Sequence, residues 1–248
     1  DIEDYFVTDY QLIDQYIGDT LWIWGLNASG QLGLNDTNTR TTPVTTFAGG
    51  TNWKQVAGGT SFTAAIKTDG TLWTWGINTS GQSGVNDTTN RSTPVVISSG
   101  ATNWKQVAGG GNHIVAIKTD GTLWTWGSNT SGQLGINNTT NKSTPVTTFA
   151  GGTNWKQVSC GAGGGSHTAA IKTDGTLWTW GDNTYGQLGV NDTNGRTTPV
   201  QTSAGGTNWK QVAGGGSHTA AIKTDGTLWT WGLNNNGQLG VEIGRAHV

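Results

Sequence analysis

The string TLW begins at Thr20, Thr71, Thr122, Thr176 and Thr227, at spacings of 51, 51, 54 and 51 residues. The string NWKQV keeps the same period, at Asn52, Asn103, Asn154 and Asn208. Self-similarity at one fixed period is the signature of a stacked-repeat architecture, in which each unit buries its apolar face only against its neighbours. All 14 tryptophans fall in the repeated slots, ten in the LWxWG strings and four in NWKQV. Packing of the repeats therefore accounts for them before any ligand does.

Each unit reads as four short strands. NWKQVAGG is the first, a segment typified by SHTAAIKT the second, and TLWTWG the third. Asp-Gly pairs at Asp69-Gly70, Asp120-Gly121, Asp174-Gly175 and Asp225-Gly226 separate the second from the third. Such a pair predicts a two-residue type I′ hairpin turn. After WG come an N-x-x-G-Q-x-G turn, a polar loop and a strand containing Pro, such as Pro145-Val146-Thr147-Thr148. Proline suits an edge strand, where its missing N–H breaks no ladder bond. Four short strands in a unit of about 50 residues make a propeller blade. The expected fold is all-β, a β-propeller of four-stranded blades with four to five blades present out of seven, leaving an incomplete ring. In the third strand of each unit, Trp73 and Trp75, Trp124 and Trp126, and Trp178 and Trp180 share one face, because side chains alternate along a strand. The Gly-rich VAGGG segments fit strands crowded at a central axis.

Composition agrees. With 41 Gly, 14 Trp and 11% charged residues, the chain is too aromatic for disorder and too rich in Gly for a helical fold. The single Cys160 excludes an internal disulfide framework, matches no metal-ligand spacing and reads as a small buried filler. No apolar run approaches the roughly 20 residues of a membrane span. Residues 1–19 hold six acids and no Lys or Arg, while residues 20–241 hold 12 basic and 8 acidic residues. Those bases are spread through the repeats, so no electrostatic footprint for nucleic acid is expected. Three segments follow: an acidic, aromatic lead or degenerate half-blade over 1–19, the repeats over 20–241, and a tail over 242–248. The tail, EIGRAHV, breaks the pattern and reads as a translated sequencing adapter.

The string Val212-Ala213-Gly214-Gly215-Gly216-Ser217-His218-Thr219-Ala220-Ala221-Ile222, followed by DGTLWTWGxNxxGQLG, resembles the regulator of chromosome condensation repeat, and the likeness recurs over residues 20–241. It implies a seven-bladed propeller and a binding role, as in nucleotide exchange on a small GTPase, inhibition of β-lactamases, ultraviolet-B sensing or accessory domains of ligases. In ultraviolet-B photoreceptors of this kind, Trp and Arg precede the repeat His. Here those slots hold Gly111-Asn112, Gly165-Ser166 and Gly216-Ser217. The very uniform units and the absence of Met make the chain similar to phage or bacterial members.

The residues themselves point away from catalysis, a metal or a cofactor. His113, His167 and His218 occur once per unit, with Phe62 in the same slot of the first, and equivalent positions in different blades diverge. They read as structural, bonded to nearby backbone. Four of the eight acids of the repeats belong to the Asp-Gly turns; Asp36, Asp87 and Asp192 belong to a repeated N-D-T loop; Asp182 alone is out of pattern. The Asn-x-Ser/Thr triplets, Asn27 and Asn78 among them, read as turn chemistry rather than glycosylation sites. Function concentrates where repeats differ. The candidate binding rim is therefore Arg40, Arg91, Lys142 and Arg196, one equivalent cation per unit, with Asp182 and Tyr185. The expected function is a non-enzymatic scaffold that recognises a protein or glycan through one face, as in virion or cell-surface attachment. A purely structural spacer is the alternative, ahead of a small-GTPase regulator or a piece of an enzyme. Open blade faces predict self-association.

Overall fold

The computed structural model describes residues 20–240. The expectations for 1–19 and for the tail lie outside the described residues. Three four-stranded antiparallel sheets follow one another along the chain. The first is β3 (Trp53–Gly58), β4 (Phe62–Lys67), β5 (Leu72–Gly76) and β6 (Arg91–Val96). The second is β7 (Trp104–Gly109), β8 (His113–Lys118), β9 (Leu123–Gly127) and β10 (Lys142–Thr147). The third is β11 (Trp155–Cys160), β12 (His167–Lys172), β13 (Leu177–Gly181) and β14 (Arg196–Gln201). A two-stranded sheet, β1 (Trp22–Gly25) with β2 (Arg40–Thr45), precedes them, and a three-stranded sheet of β15 (Trp209–Gly214), β16 (His218–Lys223) and β17 (Leu228–Gly232) follows. This is the expected open arc of propeller blades.

The NWKQV strand is innermost. Neighbouring inner strands are tied by a glutamine amide: Gln55 Nε2 donates to Val107 O and Gln55 Oε1 accepts from Val107 N, both at 3.0 Å. Gln106 with Val158 and Gln157 with Val212 repeat the pair. Glycine at the end of these strands is a matter of space. A Cβ on Gly109 would lie 2.7 Å from Gly58 O of the preceding blade, and one on Gly214 would lie 2.7 Å from Cys160 O. Both are closer than non-bonded atoms approach.

Between sheets, each inner-strand Trp packs edge-on or tilted against the two Trp of the LWTWG strand in its own blade. Trp104 sits 6.2 Å from Trp124 and 6.0 Å from Trp126, centroid to centroid, within the range favoured by ring quadrupoles. The lysine ending the second strand covers the cluster, with Lys118 Nζ 4.2 Å from the Trp124 ring. The same arrangement recurs at Trp53, Trp155 and Trp209.

The Asp-Gly turns differ from the type I′ expectation. Gly70 has φ +78°, but Asp69 is absent from the few non-Gly residues with positive φ, namely Asn35, Asn86, Asn137 and Asn191. Gly70 N donates to Lys67 O at 2.9 Å and Lys67 N to Thr71 O at 3.0 Å. The loop is thus three residues long, a right-handed turn closed by a left-handed glycine, which is the next commonest hairpin solution. Asp69 stays right-handed because its carboxylate caps the turn, accepting from Thr71 N at 2.9 Å and Thr71 Oγ1 at 2.7 Å. At the equivalent Gly121, with φ +79°, a Cβ would fall 2.0 Å from Thr153 O. Gly121→Ala is therefore expected to lower stability by at least about 2 kcal/mol, from left-handed strain together with a backbone collision; the denaturant midpoint checks it.

Register separates two ends of the blades. Lys67, Gly70 and Trp53 meet at one end, the hairpin face; Gly58, Phe62, Gly76 and Arg91 meet at the other, the loop face.

Candidate functional site

On the loop face stand the residues expected to form a binding rim. Arg40, Arg91 and Arg196 each reach back four residues to Asp36, Asp87 and Asp192, at 2.6, 2.5 and 2.6 Å. The Arg40 guanidinium beside Asp36 and the Arg196 guanidinium beside Asp192 hold those carboxyls below the usual range. Asp87 is lowered first by the Thr89 amide and then by Arg91. Each Asp also accepts from a buried Asn, as Asp36 O and Oδ1 do from Asn27 Nδ2 at 3.0 and 3.1 Å. The positive charge of the arc is thus largely cancelled in place, and the arginines serve as loop braces. In the second blade Asn138 replaces the acid, so Lys142 keeps its charge without that partner. Asp182 is a brace as well: Oδ1 accepts from Thr184 N and Oγ1, and Oδ2 accepts from Gln187 Nε2 at 2.8 Å. Tyr185 is half exposed. The glycosylation-like Asn27, Asn78 and Asn129 are fully buried, with Asn27 Oδ1 accepting from Leu32 N at 2.9 Å.

The histidines act between blades, not on nearby backbone as expected. His113 Nε2 lies 3.0 Å from Thr168 Oγ1 and His167 Nε2 lies 3.1 Å from Thr219 Oγ1, each in the next blade. Thr168 Oγ1 spends its one proton on Gln133 O at 2.9 Å, and Thr219 Oγ1 on Gln187 O at 2.8 Å. The imidazoles must therefore donate from Nε2, leaving Nδ1 unprotonated. Burial first, and the neighbouring His167 second, push His113 down to about 3; burial pushes His167 down to about 4 despite the opposing pull of Asp182. His218, on the last sheet, is less buried. Cys160 is buried as expected, its Sγ 3.7 Å from Ala108 O and its thiol pushed up to about 12 by burial.

The hairpin face carries a feature that the sequence reading passed over. In each complete blade and in the last sheet, the pairing slips by one residue between the inner-strand Trp and Gln: Trp53 faces Lys67 but Gln55 faces Ile66. The same slip occurs at Trp104/Gln106, Trp155/Gln157 and Trp209/Gln211. The extra residue is Lys54, Lys105, Lys156 or Lys210 in turn. A bulge re-aims the side chain it carries, and these four exposed lysines, with the glutamines beside them, line an axial trough of about 590 Å³. Among the described residues every ion pair joins Arg to Asp, and none involves these lysines. Bases that look dispersed along the chain are thus gathered at the axis. Phe47 and Phe149, 64% and 65% exposed, lie on the loops leading into inner strands on this same face.

The sequence model of the RCC1-like domain matches residues 16–247. The chain belongs to the RCC1-like domain family. Among curated relatives, the ultraviolet-B receptor UVR8 of Arabidopsis thaliana is 34% identical over 237 residues, covering 94% of this chain and 53% of the receptor. The human E3 ubiquitin-protein ligase HERC2 is 32% identical over 230 residues, covering 89% of this chain and 5% of the ligase. This RCC1-like chain therefore spans about half of the first relative and a small part of the second. Human WBSCR16 superposes with TM-score 0.76 at 25% identity, over 90% of this chain and 59% of that one. Yeast RCC1 (Prp20), solved bound to Kap60, superposes with TM-score 0.75 at 23% identity, over 90% and 54%, a likeness that speaks for the fold. These relatives are eukaryotic and lend no support to the phage or bacterial origin expected from the uniform repeats.

Proposed function

We propose that this RCC1-like chain is a non-enzymatic scaffold that binds a protein partner through its hairpin face. The observation that carries the reading is the presence, on one face, of exposed Phe47 and Phe149 together with an axis of lysines that form no ion pair. Exposed aromatics toward the outer edge and cations without ion-pair partners at the axis of one face are the chemistry of a protein contact surface. The loop face offers less, because its arginines already hold Asp36, Asp87 and Asp192. A glycan would call for flat exposed indoles, whereas the Trp of the complete blades are engaged in their own clusters. The described carboxylates each cap a turn or brace a loop, which leaves none poised for acid–base work. Yeast RCC1 was solved with a protein, Kap60, which is consistent with such a role. Light reception is not carried over from the Arabidopsis relative. Gly111 donates to Gly165 O at 3.0 Å, and a Cβ there would sit 2.8 Å from Gly164, so the slot before His113 has no room for an indole.

The test compares tagged chains in pull-downs from the source cells. Phe47→Ser with Phe149→Ser, which copies the Ser98 and Ser203 of the other repeats, should reduce recovery of the principal partner at least about tenfold. Arg91→Gln with Tyr185→Ala should leave it within about twofold. The reverse pattern would overturn the reading.

Self-association follows from the open edges. Trp22 and Trp24 are 56% and 58% exposed, whereas Trp75, in the slot of Trp24, is fully buried. Concentration-dependent sedimentation is expected of the 248-residue chain; a strictly monomeric profile at high concentration would count against it.

A further inference from the structure

We infer that the axial lysines form a binding site for a compact multivalent anion of the polyphosphate class. This goes beyond the proposed protein contact and does not depend on it. Lys54, Lys105, Lys156 and Lys210 come from four successive inner strands, and each is the inserted residue of a bulge. The Gln clamp beside them, at 3.0 Å between Gln55 and Val107, holds adjacent inner strands together and so sets the four ammonium stems side by side. Four like charges on one mouth repel one another, and among the described residues none of the four is ion-paired with a carboxylate. Asp69, Asp120, Asp174 and Asp225 keep their charge at the hairpin turns, where each caps its own threonine and is drawn to Lys67, Lys118, Lys172 or Lys223, while Asp36, Asp87 and Asp192 pair with arginines of the opposite face.

The trough, about 590 Å³, has the size of a small-molecule site. Its polar chemistry narrows the occupant. Lysine is a compact point charge with rotatable donors, suited to clustered phosphate oxygens of any orientation. An extended acidic peptide would need backbone partners as well, but three of the four glutamine amides that line the trough, those of Gln55, Gln106 and Gln157, are already paired with Val107, Val158 and Val212. Single-stranded nucleic acid would need exposed rings on which bases stack, and Trp53, Trp104, Trp155 and Trp209, which precede the lysines, are buried. What remains is several negative charges on a small body.

The test is calorimetric titration of the full chain with tripolyphosphate at low ionic strength, with inorganic phosphate and an octaglutamate peptide as comparisons. Tripolyphosphate should bind at least about tenfold more tightly than either, weaken steeply with salt, and raise the melting temperature. Lys54→Gln, Lys105→Gln, Lys156→Gln and Lys210→Gln combined should weaken it roughly 30-fold, the sum expected of four exposed charge pairs. The charge-matched set Arg40→Gln, Arg91→Gln, Lys142→Gln and Arg196→Gln should change it less than about threefold. The single variants Lys105→Gln and Lys156→Gln give graded losses and cover the case in which a fourfold variant misfolds. Equal loss in both fourfold sets, no loss in the lysine set, or tighter binding of octaglutamate would each overturn the assignment. Because no partner protein is present, failure here leaves the pull-down result untouched.

Discussion

Replacing Trp126 by alanine is expected to lower stability by roughly 3–5 kcal/mol, among the largest single-residue effects of the described residues. Its indole is fully buried, tilts against Trp104 at 6.0 Å, and donates from Nε1 to Gln82 O at 3.0 Å in the loop of the preceding blade. That loop is shaped to the ring: Gly84, at φ +67°, comes so close that a Cβ would lie 2.8 Å from Trp126 Nε1. The substitution leaves a cavity between two blades and an orphaned carbonyl. Trp24 occupies the same repeat slot on the open edge and is 58% exposed, so Trp24→Ala should cost less than about 1 kcal/mol. Urea denaturation of the pair measures the difference, and equal losses would mean that the edge is covered in solution.

Acidification is the second large effect. In the folded chain His113 is held down to about 3 and His167 to about 4, against an ordinary 6.5. The unfolded chain therefore takes up protons below pH 6.5 that the folded chain refuses, and stability falls as the pH drops from there toward the folded values. Between pH 6.5 and 4.5 each histidine contributes a loss of about 2 kcal/mol, so the two together cost about 4 kcal/mol. The capping aspartates, held below their ordinary 3.8 chiefly by threonine hydroxyls or arginines, add their losses only below that pH. Phe62 fills the histidine slot of the first complete blade. His113→Phe with His167→Phe should accordingly flatten the curve between pH 6.5 and 4.5, even though the loss of two inter-blade bonds lowers its plateau. A slope unchanged in the double variant would mean that other groups titrate there.

What could be read in the sequence, and what could not, divides along local and non-local lines. The blade, its four strands and the buried face of Trp126 follow from a fixed period and strand alternation. The crowding behind Gly109 follows from glycine at the axis. The ion pair of Arg91 is legible too, since Asp87 stands four residues before it, but only the folded loop shows that this spacing brings the two side chains together. The partner of His113 was out of reach, because Thr168 is 55 residues away and in another blade. The Asp-Gly turn misled because the capping role of Asp69 holds it right-handed and moves the left-handed position to Gly70 alone. Lys54 and its equivalents were hidden for a different reason. Their direction depends on a one-residue slip against the second strand, and alternation alone places them on the wrong side of the sheet.

Which face meets the partner is settled most directly by photo-cross-linking in the source cells, with a benzophenone amino acid in place of Phe149 on the hairpin face or Tyr185 on the loop face. The account predicts a discrete cross-linked protein from position 149, and none of that species from 185. A partner captured from 185 but not from 149 would contradict it and return the binding role to the loop-face rim.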